Sequence, residues 1–410
     1  MYTEKDIGIF SFLSSTSGIG GKLRKNVEDF YVEEIPLELE KKDNGKHLCL
    51  KVKLFNWETN RFVKILSKNL GISRHRIKFA GNKDKRGVTI QYFCILNYPG
   101  KINLNLKDVE ILDEFRSSRE INIGDLYGNK FEIVVRDAKC DDRVDKIEEE
   151  LNGFFPNFFG VQRFGASRPI THIVGKFIIK GRYDEAVRYY IGFPSSFDED
   201  DGRKIFFENM DAREAIKNIS KNASYERAML NYLIKNERDY VGALKQLPKN
   251  LLLLFVHGYQ SYIFNKILSK RLEIGIDVQV GDIIMKVDKF GLPMQEFVKV
   301  TDFNIEKIKN LINAKKAYVS TILFGYNSYF SEESQGDIER EVIDEEGINK
   351  KMFHIKEIPE LSSKGRRRNI ISPIMDYNRD NCKFRFILHR GSYATSLMRE
   401  FMKQNSLEFY

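Results

Sequence analysis

The stretch from Lys78 to Gln91 reads Lys-Phe-Ala-Gly-Asn-Lys-Asp-Lys-Arg-Gly-Val-Thr-Ile-Gln. Apolar residues precede its charged centre, and after the centre Val88, Ile90 and Tyr92 alternate with other residues. Gly81 permits a sharp backbone turn where the first apolar run ends. The pattern predicts two β-strands joined by a charged loop.

This loop places Asp84 between Lys83 and Lys85, with Lys78 and Arg86 close by in the sequence. Nearby cations favour the charged form of a carboxyl group, so we expect Asp84 to be ionised. An ionised carboxylate can act as a nucleophile or as a general base. A solvated, charged hairpin tip is the alternative interpretation, because charge clusters on loops mostly serve solvation.

Length and charge set the broad class of the protein. The chain has 410 residues, which is too long for one ordinary hydrophobic core, so about two domains are expected. Its 67 lysines and arginines outnumber its 58 aspartates and glutamates, and the formal net charge is +9. Such an excess of positive charge suits a polyanionic partner.

The cysteines and histidines do not predict a metal site. The four cysteines lie far apart and form no Cys-x-x-Cys pair, so we expect neither a disulfide framework nor a zinc knuckle, and a reducing cytoplasm fits best. The histidines stand singly, without the i, i+4 spacing of a helix-borne metal site. The longest apolar run, Leu251 to Val256, is too short to span a bilayer, and the N-terminus has no signal-peptide pattern.

A glycine-rich turn, Gly18-Ile19-Gly20-Gly21-Lys22, invites comparison with a phosphate-binding loop. Its spacing fails, because Thr16 stands where that loop needs a glycine and Leu23 stands where Ser or Thr would coordinate magnesium. We interpret it as a flexible turn. A nucleotide-dependent enzyme is a hypothesis that rests on this turn alone.

Hydrophobic periodicity predicts the elements on either side of the central loop. Thr59 or Asn60 is the expected N-cap of the first helix, and Gly71 is the expected stop. The expected strands lie within Leu23–Ile35, Leu48–Leu54 and Leu126–Arg136, and the expected helices within Trp57–Leu70 and Val144–Leu151.

The middle of the chain differs from the N-terminal part in composition and in hydrophobic periodicity. Asn157–Gly165 contains three aromatic residues with a Gln and an Arg, and we expect it either to pack a domain joint or to form a ligand wall. From about Pro169 to Arg368, helical patterns and then strand-like, charged patterns predict a second, mainly helical domain. Within it, Glu332–Lys351 is expected to be a solvated, mobile loop. Lys364–Arg368 is expected to be a basic linker, suited to phosphate contacts or to a solvated turn.

The C-terminal segment begins with an alternating strand pattern over Cys382–Leu388. It continues with Gly-Ser-Tyr-Ala-Thr-Ser-Leu-Met-Arg-Glu at Gly391–Glu400. Ser392 is the expected cap of a helix that starts near Ala394.

Several of these stretches together resemble the TruD family of tRNA pseudouridine synthases, and an archaeal-like member in particular. The matching elements are Arg24–Glu33, Ala80–Gln91, Gly128–Phe131, Asn157–Gly165 and Gly391–Glu400. They occur in this order over almost the whole chain, which makes the set specific.

The resemblance implies the isomerisation of uridine to pseudouridine in RNA, typically at position 13 in the D arm of tRNA, with no cofactor and no metal. The family's catalytic aspartate falls on Asp84, and the basic residue that lies against it falls on Arg24. Gly87 stands where the family often has alanine, and Arg24 where some members have lysine, and neither change removes a functional group. The residues expected to bind the substrate are Phe30, Asn129, Phe131 and Tyr393.

These residue types suit the implied chemistry. An arginine can hold a carboxylate by a bidentate contact, which orients it and keeps it ionised. A structured RNA hides its bases, so the target must be flipped out and received between aromatic faces. Phe30, Phe131 and Tyr393 offer such faces, and Asn129 can both donate to and accept from a uracil edge.

The resemblance also implies an α+β fold. We expect a pseudouridine-synthase catalytic domain with an antiparallel-rich mixed sheet, formed by residues 1–160 together with 370–410. Residues 161–369 are expected to form an inserted, mainly helical α/β TRUD domain. The implied partner is tRNA in the cytoplasm, without a membrane, and a monomer is expected.

A non-catalytic RNA-binding or chaperone protein is the competing hypothesis. It is motivated by the net charge of +9 and by the basic segments Arg74–Lys78 and Lys364–Arg368. It predicts salt-dependent RNA binding without a modified product.

Overall fold

A computed structural model of the chain describes residues 2–83, 85–165, 168–194, 201–404 and 406–410. Within these ranges the chain forms two compact units. The first, which we name the sheet unit, comprises Leu13–Phe155, Ser372–Gln404 and Phe409–Tyr410. The second, which we name the helical unit, comprises residues 2–12, 156–371 and 406–408.

The elements are numbered in chain order. The strands are β1 Phe30–Pro36, β2 His47–Phe55, β3 Ile77–Phe79, β4 Val88–Ile95, β5 Val109–Ser117, β6 Leu126–Val134, β7 Phe154–Pro156, β8 Ile283–Val287, β9 Pro293–Lys299, β10 Ala317–Leu323, β11 Arg366–Asn369, β12 Ile371–Pro373, β13 Met375–Asp380 and β14 Lys383–His389. The helices are α1 Thr59–Asn69, α2 Arg143–Leu151, α3 Thr171–Ile179, α4 Tyr183–Gly192, α5 Gly202–Asn209, α6 Ala212–Asn218, α7 Ser224–Lys235, α8 Tyr240–Leu244, α9 Lys249–Glu273, α10 Ile305–Asn313, α11 Glu333–Glu345 and α12 Ala394–Met402.

The sheet unit is built on an eight-stranded sheet in the order β13-β14-β6-β1-β4-β2-β5, with β3 paired to β4. The β1–β4 pair is parallel, and the other neighbouring strands are antiparallel. The predicted α+β class with an antiparallel-rich mixed sheet is confirmed.

The central hairpin forms as predicted, because β3 and β4 pair with Ile77 opposite Ile95 and leave a loop between them. Helix α1 begins at Thr59, with Glu58 rather than Thr59 or Asn60 as its N-cap. The hydroxyl of Thr59 is used elsewhere, since it accepts a hydrogen bond from the backbone N–H of Lys83 at 2.8 Å.

Two apolar clusters cover one face of this sheet. In the first, Ile147 of α2 and Leu397 and Met398 of α12 pack against buried residues of β1, β6 and β14. In the second, Phe62 and Leu66 of α1 pack against β2, β3 and β4. Side chains alternate between the faces of a strand, so the inward residues of β1, β4 and β6 share this face.

The helical unit is organised around α9, which is 25 residues long. Helix α3 packs closely along it, and a Cβ at Gly175 would clash with the carbonyl oxygen of Phe255. A four-stranded antiparallel sheet, in the order β11-β10-β8-β9, completes the unit.

The prediction of a mobile loop at Glu332–Lys351 is wrong, because residues Glu333–Glu345 form helix α11. Val342 and Ile343 are buried in the core of the helical unit. The charges that suggested a solvated segment are in part buried as well, since Glu339 pairs with Arg367 at 3.1 Å.

The prediction of a basic linker at Lys364–Arg368 is also wrong, because Arg366–Asn369 is strand β11, which pairs antiparallel with β10. Arg367 is only 3% exposed, and it donates hydrogen bonds to Ser320 and Ser331. Charge density alone does not separate a structural arginine from a solvated one.

One pair of cysteines departs from the expectation that no disulfide framework forms. Cys140 and Cys382 form a disulfide across 242 residues of sequence. The pairing of β6 with β14 explains it, since Val135 N–H donates to the carbonyl of Cys382 and so brings the two segments together. Cys49 and Cys94 are free, buried and directly opposite each other on β2 and β4.

Candidate active site

Polar side chains interrupt the two apolar clusters on the covered face of the sheet. Val32 of β1 is opposite Phe131 of β6 and beside Thr89 of β4, which fixes the register of this face. Since charged and amide groups are rarely buried without a role, their position here marks a candidate site. The polar residues on this face include Glu34, Thr89, Gln91 and Asn129, of which Glu34, Thr89 and Gln91 are buried and Asn129 is half-buried.

Arg24, Phe30 and Phe131 are brought together at one end of the site. The guanidinium of Arg24 lies 4.0 Å from the centre of the Phe30 ring. Phe30 in turn contacts Phe131 edge to face, with ring centres 6.2 Å apart. These contacts place a cation and two aromatic walls side by side.

The backbone around Arg24 is held by two neighbouring segments. Lys22 and Arg136 exchange backbone hydrogen bonds of 2.8 and 3.0 Å, and Leu23 N–H donates to the carbonyl of Phe409. Arg24 itself has a positive φ of 55°, which is uncommon for a residue with a side chain. The segment is therefore anchored immediately before the residue that the site uses.

Asp29, which directly precedes Phe30 in the Arg24–Glu33 element, has a structural role. Asp29 is 1% exposed, and it accepts hydrogen bonds of 2.8 and 2.6 Å from the guanidinium of Arg136. Its other oxygen accepts from the N–H of Asn26 at 2.8 Å. Asp29 thus closes the turn that leads from Arg24 to Phe30.

Asn129 presents an unused acceptor on the same face. It lies opposite Glu34 on one side and Leu388 on the other. Its Oδ1 atom is buried, and no described residue donates a hydrogen bond to it. Buried polar atoms are nearly always satisfied, so an orphan acceptor of this kind indicates a place for a ligand donor.

Gly128 and Gly87 allow the close approaches that the site needs. A Cβ at Gly128 would clash with the carbonyl oxygen of Leu388 on the adjacent strand. A Cβ at Gly87 would lie 2.7 Å from the carbonyl oxygen of Phe30. The loop that carries Asp84 therefore runs directly beside the start of β1.

Tyr393 is placed at the N-cap of α12. It is half-buried, and its carbonyl accepts hydrogen bonds from the first turn of that helix. The predicted cap Ser392 does not cap α12, and its hydroxyl instead contacts that of Ser372 at 2.8 Å.

Asp84 lies outside the described residues, so its predicted contact with Arg24 stays a prediction. The residues before it are described and are held by side chains of this face. Gln91 Nε2 donates to the carbonyl of Gly81 at 3.1 Å, and the Lys83 N–H donates to Thr59 at 2.8 Å. Thr59 also donates to Gln91 Oε1 at 3.1 Å, which links the two anchors.

An ion pair supplies the third anchor. Lys83 Nζ lies 2.7 Å from Glu34 Oε1, with side chains that are 12% and 1% exposed. The second oxygen of Glu34 accepts from the N–H of Tyr92 at 3.0 Å. Lys83 was expected among the cations around Asp84, and the structure pairs it with Glu34.

The adjacent Glu33 points to the opposite face and differs in its surroundings. It pairs with Lys51 at 2.7 Å, and both side chains are about one-quarter exposed. Although burial opposes ionisation, hydrogen bonds from Lys51 and Tyr31 lower the pKa of Glu33 below its usual range. Glu33 on β1 thus belongs to a partly solvated ion pair, whereas the adjacent Glu34 belongs to a buried one.

Sequence reasoning missed Glu34, Thr59, Gln91 and Asp29. A signal for Glu34 was present, because the inward register set by Phe30 and Val32 continues to position 34. A charged residue at an inward strand position requires a buried partner. The partner itself could not be read from the sequence, since Lys83 is 49 residues away.

Two further features of the described part of the chain bear on its function. No group of three or more His, Cys, Asp or Glu residues there is arranged to hold a metal ion. None of the helices there combines the length and the apolar character that crossing a membrane requires.

Comparison with known proteins gives a consistent result. Residues 6–401 match the family model described as tRNA pseudouridine synthase D (TruD). The chain is 40% identical over 412 residues to the "Probable tRNA pseudouridine synthase D" of Picrophilus torridus, with 98% of each chain covered. It is 38% identical to the protein of the same name from Thermoplasma acidophilum, with 93% of each covered.

A solved structure is similar as well. It is the crystal structure of the "Putative tRNA pseudouridine synthase D (TruD)" from Methanosarcina mazei, with a TM-score of 0.82 and 37% sequence identity. The similarity covers 98% of each chain. The similar region therefore includes both units, and not the sheet unit alone.

Proposed function

This chain belongs to the TruD family of tRNA pseudouridine synthases, and we propose that it isomerises uridine to pseudouridine in tRNA, with Asp84 as the catalytic carboxylate. The observation that carries the proposal is the grouping of Arg24, Phe30, Phe131 and the orphan acceptor of Asn129 beside the Asp84 loop. Uridine 13 in the D arm is the proposed target.

The reaction is an internal exchange of bonds. The bond between N1 of uracil and C1′ of the ribose breaks, a bond between C5 and C1′ forms, and the proton leaving C5 is balanced by one gained at N1. A carboxylate can assist by attacking the nucleoside or by accepting a proton. Asp84 is the group that we assign to this step.

The flipped base needs a pocket while it is detached. Phe30 and Phe131 supply apolar ring surfaces, and Tyr393 is proposed to supply a further one. Asn129 Oδ1 is a free acceptor that can receive the N3–H of uracil. Arg24 is proposed to hold Asp84 ionised and oriented through its guanidinium.

The remaining assignments rest on the same proposal. We assign the catalytic role to the sheet unit and the role of the inserted TRUD domain to the helical unit. The partner is tRNA, the proposed compartment is the cytoplasm, and the proposed active form is a monomer.

The function is tested with unmodified tRNA transcripts. The protein is incubated with a transcript that carries uridine at position 13 and with a matched transcript that carries cytidine there, and pseudouridine is mapped by chemical labelling and sequencing. Product at position 13 of the first transcript alone is the expected result. Product at other positions only would overturn the choice of uridine 13, and no product in any transcript would overturn the activity.

Thr59 is expected to act as a positioning residue. Thr59→Val keeps the shape of the side chain but removes the hydroxyl that holds Lys83 and Gln91. A displacement of the Asp84 loop by about 1 Å is enough for a loss of roughly 100-fold in rate. We therefore expect single-turnover conversion at saturating tRNA to slow by about 10- to 100-fold, with tRNA affinity unchanged.

Thr59→Ser retains the hydroxyl and is the matched control, so it should convert tRNA at nearly the wild-type rate. Equal rates for Thr59→Val and Thr59→Ser would show that the hydroxyl does not position the loop.

A further inference from the structure

A cluster of basic residues in the helical unit is not used by the proposed chemistry. Along α9, His257, Ser261 and Phe264 recur at helical spacing and so share one face. The Asn157–Gly165 segment and strand β11 lie against this face. Phe159 contacts Phe264 edge to face at 5.4 Å.

The Asn157–Gly165 segment is firmly attached to α9. The side chain of Asn265 accepts from the N–H of Phe159 at 2.9 Å and donates to its carbonyl at 3.1 Å. Phe158 and Phe164 are fully buried. Of the two expectations for this segment, packing accounts for the aromatic residues, and it leaves the arginine at position 163 to be explained.

The nearby arginines differ in how completely other residues of the unit bind their guanidinium groups. Arg367 is buried against Glu339. Arg368 stacks on Phe159 at 4.2 Å and donates to Asn157. Both are committed to holding the unit together.

Arg163 and Arg366 are bound less completely by residues of the unit. Arg163 is half-buried and is oriented by one hydrogen bond, from its Nε to Ser261 Oγ at 3.1 Å. Arg366 is exposed and lies two residues before Arg368 on β11, so the two share a face of that strand. Within the part of the chain that is described, neither Arg163 nor Arg366 forms an ion pair with a carboxylate.

His257 is close enough to both arginines for their charges to act on it. Burial, together with the positive charges of Arg163 and Arg366, lowers the pKa of His257 to about 4. The imidazole is therefore neutral at physiological pH, and the positive charges of Arg163 and Arg366 both act on it. An anion bound by the two guanidinium groups would offset these charges.

We propose that Arg163, Arg366 and His257 form a binding site for a backbone phosphate of the tRNA substrate. Guanidinium groups match phosphate oxygens by paired, charge-assisted hydrogen bonds, and such contacts position an RNA without reading its sequence. This inference rests on the proposed function, because tRNA is the polyanion that the activity brings to the protein.

The test combines two variants with a control. Arg163→Gln/Arg366→Gln removes the cations. His257→Glu places a competing carboxylate at the position on which both cations act, and its new ion pairs should keep the melting temperature near that of wild type. Arg340→Gln is the control, since Arg340 is a half-exposed arginine of the same unit that pairs with Asp337.

Affinity for unmodified tRNA is measured over a series of salt concentrations. Both site variants should lose tRNA affinity by about tenfold or more. The slope of log affinity against log salt should become shallower by about one, which corresponds to the loss of one phosphate contact. The single-turnover rate at saturating tRNA should stay near wild type, because none of these three residues is assigned to the chemical step. Arg340→Gln should match wild type in all three readouts.

The outcomes separate this inference from the proposed function. If wild type forms pseudouridine but the site variants bind tRNA as Arg340→Gln does, the phosphate site is overturned and the activity stands. If wild type forms no pseudouridine yet the variants lose RNA affinity with the lower salt slope, the phosphate site stands and the activity is overturned.

Discussion

Asp84→Asn is expected to abolish pseudouridine formation while tRNA binding is retained. The substitution keeps the size of the side chain but removes the charge that can attack the nucleoside or accept its proton. General-base assistance alone contributes roughly 10²- to 10⁴-fold, and loss of a nucleophile costs at least as much. We expect single-turnover conversion of an unmodified transcript to fall by about 10⁴-fold or more.

Asp43→Asn is the matched control for this experiment, because Asp43 is an exposed aspartate of the same unit. It should convert tRNA like wild type. Binding of tRNA by Asp84→Asn, measured at the same salt concentration, should lie within about threefold of wild type, since one loop charge makes a small contribution to a surface that neutralises many phosphates. Undiminished conversion by Asp84→Asn would remove Asp84 from the mechanism.

Glu34→Leu is expected to have the largest effect on stability. It leaves Lys83 buried without its partner and the Tyr92 N–H without an acceptor. Breaking a buried ion pair by removing one partner costs about 3–5 kcal/mol. The free energy of unfolding, measured with urea, should fall by that amount, and conversion should be lost because the Asp84 loop loses an anchor.

Glu33→Leu provides the comparison on the same strand. Its pair with Lys51 is partly solvated, and such pairs contribute about 1 kcal/mol or less. Adding Lys83→Met to Glu34→Leu should recover most of the lost stability, since an apolar pair can replace a buried ion pair. Equal losses for Glu33→Leu and Glu34→Leu would contradict the assigned role of the buried pair.

Strand patterns in the sequence were sufficient to predict the central hairpin, and the family resemblance supplied the α+β class. Alternation of apolar residues depends only on local geometry, and it holds in β6 at Phe131 and Ile133. In β4 it does not hold, because every residue of this central strand is buried. Arg24, Phe30 and Phe131 were predicted from motifs, and the structure brings them together.

The misses have a common physical cause. Glu339 and Arg367 are both charged, and composition assigned their segments to a loop and a linker. Each is buried because it has the other as a partner, 28 residues away. Local rules cannot predict such a pair, since the cost of burying a charge is decided by a contact distant in sequence.

The disulfide was missed for the same reason. Cys140 and Cys382 are adjacent only because β6 and β14 pair. Their spacing in the sequence matches no short motif, so nothing local could correct the expectation that the cysteines form no disulfide framework.

The most direct test of the catalytic assignment is a crystal structure of the protein bound to an unmodified tRNA. The distance to measure joins the Asp84 carboxylate to the Arg24 guanidinium, with the target uridine in view. We expect about 3 Å between them, with the uracil extruded against Phe30 and Phe131 and within hydrogen-bond reach of Asn129. An Asp84 carboxylate turned away from Arg24, or a target uridine bound away from this face of the sheet, would contradict the mechanism.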